Sequence, residues 1–232
     1  MSISTQTQDK TTVITIKSPP VNALSSKDLE KLFSDIDQCS NDRNVRSIII
    51  KSEGKGFCAG ADLKEDLPEG VKAEVIHDLL WKTARAIRQS DVPVITLCHG
   101  YVIGAGLFIA SASDIVLAKE GCFFQMPGIH LDILIGNAHL QRLLPAPVVR
   151  EMVLTGKKIT VEKIFHFGGI SKIFKNQDAM QEHAEKIISK INSLNPKSIT
   201  TLKKIMNGEE SIDVDAALKQ EQQYSLQLNK SS

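Results

Sequence analysis

Two glycine-punctuated stretches hold the residues whose types and spacing suit chemistry. Cys98 to Asp114 reads CHGYVIGAGLFIASASD. It begins as a buried strand end, turns through glycines, and becomes a helix apolar on every side at Leu107, Phe108, Ile109 and Ala110. A helix with no polar face belongs in a core. Its first turn, Gly104-Ala105-Gly106, offers unbonded backbone N–H groups and the positive end of the helix dipole. Glycine and alanine let a ligand approach that backbone closely. Such an end can hold a developing oxyanion. A turn that only packs a strand against a helix would carry the same residues, and taken alone the stretch favours that plainer reading.

The second stretch is Phe57-Cys58-Ala59-Gly60-Ala61-Asp62, which also follows a strand. Both stretches offer small residues whose N–H groups can converge on one carbonyl oxygen. Two convergent donors form an oxyanion hole, which stabilises an enolate such as that of a thioester. Each motif is weak alone; the ordered pair is specific.

The positioning elements follow from periodicity. Thr11 to Lys17 is β-branched and loosely alternating, a strand ended by Ser18-Pro19-Pro20. Leu29, Leu32, Phe33 and Ile36 mark a helix that Ser25 or Ser26 can cap. Val45 to Lys51 contains Ile48-Ile49-Ile50, a run suited to a fully buried strand. Leu63 to Gly70 is charged and reads as a loop, followed by a helix from about Lys72 to Gln89. Pro93 to Cys98, Asp114 to Ala118 and Cys122 to Met126 read as further strands. From Asn137 onward the patterns are helical, ending with a helix from Asp213 to Leu228. Strands alternating with helices, then helices alone, predict an α/β core over 1–158 and a C-terminal helical segment over 159–232 that serves packing or oligomerisation.

Composition removes several function classes. With 232 residues and a net charge of +1, the chain has no electrostatic case for nucleic acid or an acidic membrane surface. Cys39, Cys58, Cys98 and Cys122 lack the spacing of a zinc site, so no metal is expected. They read as reduced thiols in a cytoplasmic setting. Met1 to Asp9 is polar, unlike a signal peptide, and no apolar run reaches a membrane span.

In order along the chain, PPVNALS (19–25), FCAGADLKE (57–65), HGYVIGAG (99–106), SDIVLA (113–118), FFQMPGIHL (123–131), LQRLLP (140–145), VLTGKKIT (153–160) and GISKIF (169–174) resemble the crotonase, or enoyl-CoA hydratase and isomerase, superfamily. The resemblance implies a spiral of ββα units and assembly as homotrimers or hexamers. It implies a substrate carried on coenzyme A or phosphopantetheine, with no covalently bound cofactor. By position, Ala59 and Ala105 would supply the oxyanion N–H groups. Gly60, Ala61, Asp62 and Gly104 would flank them, with Ala23 and Lys64 near the nucleotide or pantetheine end.

The departures bear on the reaction. Three positions that carry carboxylates in family hydratases and isomerases are Phe108, Gly128 and Gly136 here. Adding or removing water needs a positioned acid and base, which phenylalanine and glycine cannot be. The family's terminal segment that helps hold the nucleotide is not found after Leu228, which argues against tight adenine binding and makes an acyl carrier protein the expected alternative to coenzyme A as carrier. Decarboxylation survives these losses, because CO2 leaves without a base. In this the chain is similar to the decarboxylating homologues of polyketide β-branching, which act on 3-methylglutaconyl groups. Isomerisation or hydration by an unusual base, His130 or Asp132, is a second reading. A scaffold that only binds an acyl thioester is a third. Elsewhere, His99 is expected to hold its turn, Asp62 to brace the loop, and His139, His77 and Trp81 to serve chiefly as packing or surface residues. Cys58 lacks a cationic activator and is not expected to be a nucleophile.

Overall fold

A computed structural model describes residues 2–65, 72–131, 137–210 and 219. Asp132, Gly136 and, apart from Lys219, the helix expected from Asp213 to Leu228 lie outside the described residues.

The chain is an α/β protein built on alternation between a large sheet and smaller ones. β1 (Ile3–Gln8), β2 (Thr11–Ile16), β4 (Ser47–Ser52), β6 (Val94–Cys98), β8 (Ile115–Lys119) and β11 (Lys172–Phe174) form one sheet in the order β1-β2-β4-β6-β8-β11. It is parallel from β2 onward, and β1 pairs antiparallel to β2. Short strands outside it form two smaller sheets, most of them following β2, β4, β6 or β8 in the chain. These are β3 (Ala23–Leu24) with β5 (Gly60–Ala61), and β7 (Tyr101–Ile103) with β9 (Phe123–Gln125) and β10 (Lys158–Thr160). A bridge between Cys58 and Val102 joins the two small sheets. Helices α1 (Ser26–Asn41), α2 (Lys72–Gln89) and α3 (Ala105–Ala112) complete three successive ββα units.

The sheet is covered on both faces, which accounts for the uninterrupted isoleucine run. Ile48 and Ile50 point into the main core, whereas Ile49 joins Ile95, Leu97 and Leu117 in a second core. That second core is roofed by Met180, Ala184 and Ile188 of α7 (Gln177–Ser193). On the opposite side, α1 buries Leu29, Leu32 and Ile36 at helical spacing. Its start is fixed by a reciprocal capping box between Ser25 and Asp28. The carboxylate of Glu65 adds to that cap, accepting from the Ser26 N–H at 2.8 Å and hydroxyl at 2.6 Å.

Helices alone do not follow Asn137. α4 (Asn137–Leu140), α5 (Ala146–Thr155), α6 (Val161–His166) and α8 (Pro196–Glu210) are interleaved with β10 and β11, each three residues long. Strands that short cannot establish a period of two, so the flanking helical patterns dominate the sequence. Val161, Ile164 and Ile170 belong to the main core. Among the described residues no helix is long and apolar enough to cross a membrane.

Candidate active site

The two glycine-punctuated stretches meet. Beyond the Cys58–Val102 bridge, the Ile103 N–H donates to the Cys58 carbonyl at 2.9 Å. Gly104 has φ +51°, a conformation that favours glycine, and its N–H donates to the Gln125 carbonyl at 3.0 Å. One residue into α3, a Cβ on Gly106 would lie 2.7 Å from the Cβ of Cys58, so only glycine lets the helix approach the first stretch this closely. Register places Ala23 beside Gly60 in the β3–β5 ladder.

Hydrogen bonding within the junction is selective. The Gly60 N–H donates to the Cys58 Sγ at 3.4 Å. Among the described residues, no turn or loop hydrogen bond takes up the N–H of Ala59 or of Ala105. Ala105 opens α3, where geometry leaves the N–H without a helical partner. Ala59, Gly60, Ala61, Gly104 and Ala105 all line one pocket. Its walls are apolar: Ile76 and Leu80 from α2, Phe108 from α3, Met126 and Gly128 from the segment after β9. Ile76 and Leu80 were legible only as the apolar side of a helix; nothing in their spacing marks a pocket wall. None of the described lining residues carries a carboxylate, imidazole, thiol or amine.

Other expected residues fall elsewhere. Asp62 accepts the Lys64 N–H at 2.9 Å in a local turn, and the Lys64 side chain is exposed. His130 is also exposed, on the 3-10 turn Gly128–Leu131, with its ring over Gly156 and outside the pocket lining. Its backbone N–H donates to the Pro127 carbonyl at 3.0 Å. His99 is held by the Gly54 carbonyl at 3.1 Å from Nε2. Cys58 is buried and its thiol is pushed up to about 12 by desolvation, so it is not a thiolate at neutral pH. Among the described residues no cluster of three or more His, Cys, Asp or Glu could hold a metal.

Two histidines expected at surface or packing positions are fully buried. His77 on α2 and His139 on α4 are each 1% exposed, and among the described residues neither ring nitrogen of either has a hydrogen-bond partner. Burial holds His77 down to about 4. His139 is held down to about 3 by burial, then by the charges of Arg142 and Arg88. The His139 ring packs against Phe108 with centroids 5.0 Å apart. A separate polar cleft of about 530 Å³ is lined in part by Ser113, Asp114 and Arg142. Its charged groups have structural partners: Asp114 pairs with Lys203, and Arg142 donates to the Ser111 carbonyl at 2.6 Å.

Comparison with known proteins gives concordant results. The family model for enoyl-CoA hydratase/isomerase matches residues 6–231. A relative from Rhodococcus jostii (strain RHA1), named (7aS)-7a-methyl-1,5-dioxo-2,3,5,6,7,7a-hexahydro-1H-indene-carboxyl-CoA hydrolase, is 28% identical over 97% of this chain and 88% of its own. A probable enoyl-CoA hydratase from Bacillus subtilis (strain 168) is 32% identical over 90% of this chain and 83% of its own. The crystal structure of enoyl-CoA hydratase from Bacillus halodurans superposes with a TM-score of 0.90 at 23% identity, covering 99% of this chain and 96% of that one. At that identity the superposition shows the fold alone.

Proposed function

The chain belongs to the enoyl-CoA hydratase/isomerase family, and from that premise we propose that it holds an acyl-thioester oxygen between the backbone N–H groups of Ala59 and Ala105. Negative charge arriving on that oxygen would meet two fixed donors and the N-terminal end of α3. The relatives' names support coenzyme A as the carrier, with an acyl carrier protein as the alternative. A homotrimer or hexamer in the cytoplasm is the proposed assembly.

Within that chemistry we infer decarboxylation of a 3-methylglutaconyl-type thioester. One observation carries it: the described pocket lining pairs an oxyanion site with walls that have no acid or base. The bond to the carboxylate carbon breaks, and CO2 leaves. The electron pair passes through the conjugated double bond to the thioester oxygen, held by Ala59 and Ala105. A proton from solvent at the α or γ carbon completes the product. Phe108 and Gly128 border this path, where family hydratases carry their carboxylates.

The test is mass spectrometry of the purified protein with crotonyl, methylmalonyl and 3-methylglutaconyl thioesters in deuterated water. Release of CO2 from 3-methylglutaconyl with no hydration of crotonyl is expected. Hydration of crotonyl without CO2 release would overturn the decarboxylase reading.

A further inference from the structure

Neutral imidazole has one donor and one acceptor nitrogen, and leaving both buried and unpaired is costly. His139 leaves both unpaired at 1% exposure, against the ring of a pocket-lining phenylalanine. Packing alone does not explain this, because an aromatic hydrocarbon would fill the same space without the desolvation cost. A partner chain docking on the surface does not reach a side chain so enclosed. Phe108, the ring that His139 packs against, lines the apolar pocket, so a polar group bound there needs to pass only that ring to reach the imidazole.

Resting on the acyl-thioester reading above, we propose that His139 is a specificity residue that receives the distal carboxylate of the acyl chain. An acyl group anchored at Ala59 and Ala105 runs along the apolar wall toward Phe108. Its far end reaches the imidazole when the Phe108 ring turns aside. The neutral ring then donates one N–H to the carboxylate. Arg142 and Arg88 give the position a positive field, the same field that opposes protonation of the ring. An anion is favoured where a cation is opposed. His77 offers no equivalent: among the described residues it forms no aromatic ring pair with a pocket-lining side chain.

Glutaryl-CoA and butyryl-CoA test this, since neither saturated chain can lose CO2 by the vinylogous route. Calorimetric titration of the wild-type protein should show glutaryl-CoA binding at least ~10-fold tighter than butyryl-CoA, about 1.4 kcal/mol. His139→Phe should remove that preference and leave butyryl-CoA affinity unchanged. His139→Gln, which keeps a hydrogen-bonding head, should restore part of it. Equal binding of the two by the wild-type protein would overturn the proposal while leaving the thioester site intact. So would a His139→Phe variant that weakens both ligands equally. Failure of either thioester to bind would overturn this proposal together with the reading it rests on.

Discussion

Lys203 and His139 are both buried side chains of basic residues, and their surroundings treat them in opposite ways. Lys203, 3% exposed on α8, donates to the Val92 carbonyl at 3.0 Å and to Asp114 Oδ2 at 2.7 Å. The same Asp114 oxygen accepts the Val94 N–H at 2.7 Å, so one carboxylate ties α8 to the start of β6. His139 is more deeply enclosed and has no such partner. A buried charge that is fully answered is a structural joint. A buried polar ring without a partner among the described residues is, on the proposal above, answered by the substrate.

Breaking the joint should have the largest effect. Lys203→Ala leaves Asp114 enclosed without its cation and is expected to cost about 3 kcal/mol in urea unfolding. The double variant Lys203→Met, Asp114→Asn should recover much of that loss, because it removes both charges together. A single variant as stable as the wild type would erase the contrast with His139.

Acid titration probes the other half. Both histidines have folded values below their ordinary value of 6.5, about 4 for His77 and about 3 for His139. Between pH 6 and pH 4 the unfolded chain takes up protons that the folded chain refuses, so stability falls as pH falls. Each neutral buried histidine contributes a slope of about 1.4 kcal/mol per pH unit in that range. His139→Phe should flatten the decline by one histidine's share. It should also raise stability at pH 7 by about 1 kcal/mol, since two unpaired polar atoms are removed. An unchanged acid slope would mean that His139 protonates in the folded state.

Much of the architecture was legible in the sequence, for reasons that differ by element. The buried isoleucines of β4, the 72–89 helix and the all-apolar α3 announce themselves through composition and period. The approach of the two glycine-punctuated stretches was legible because Gly60, Gly104 and Gly106 sit where backbone comes close to neighbouring chain. β1 was not: only Ile3 is buried in that polar edge strand, and its hairpin turns at Asp9 and Lys10, both at positive φ with no glycine to mark the turn. His139 was opaque for a related reason. Its helix, α4, is four residues long, too short to display a face, so burial against Phe108 depends on long-range packing.

The central claim is that the Ala105 N–H stabilises negative charge on the thioester oxygen in the reaction, and Ala105→Pro tests it most directly. Proline deletes that N–H at the first position of a helix, where it is well tolerated. Decarboxylation of the 3-methylglutaconyl thioester is therefore expected to slow by about 10²–10³ with the melting temperature preserved. A variant that folds normally and turns over at the wild-type rate would contradict the account.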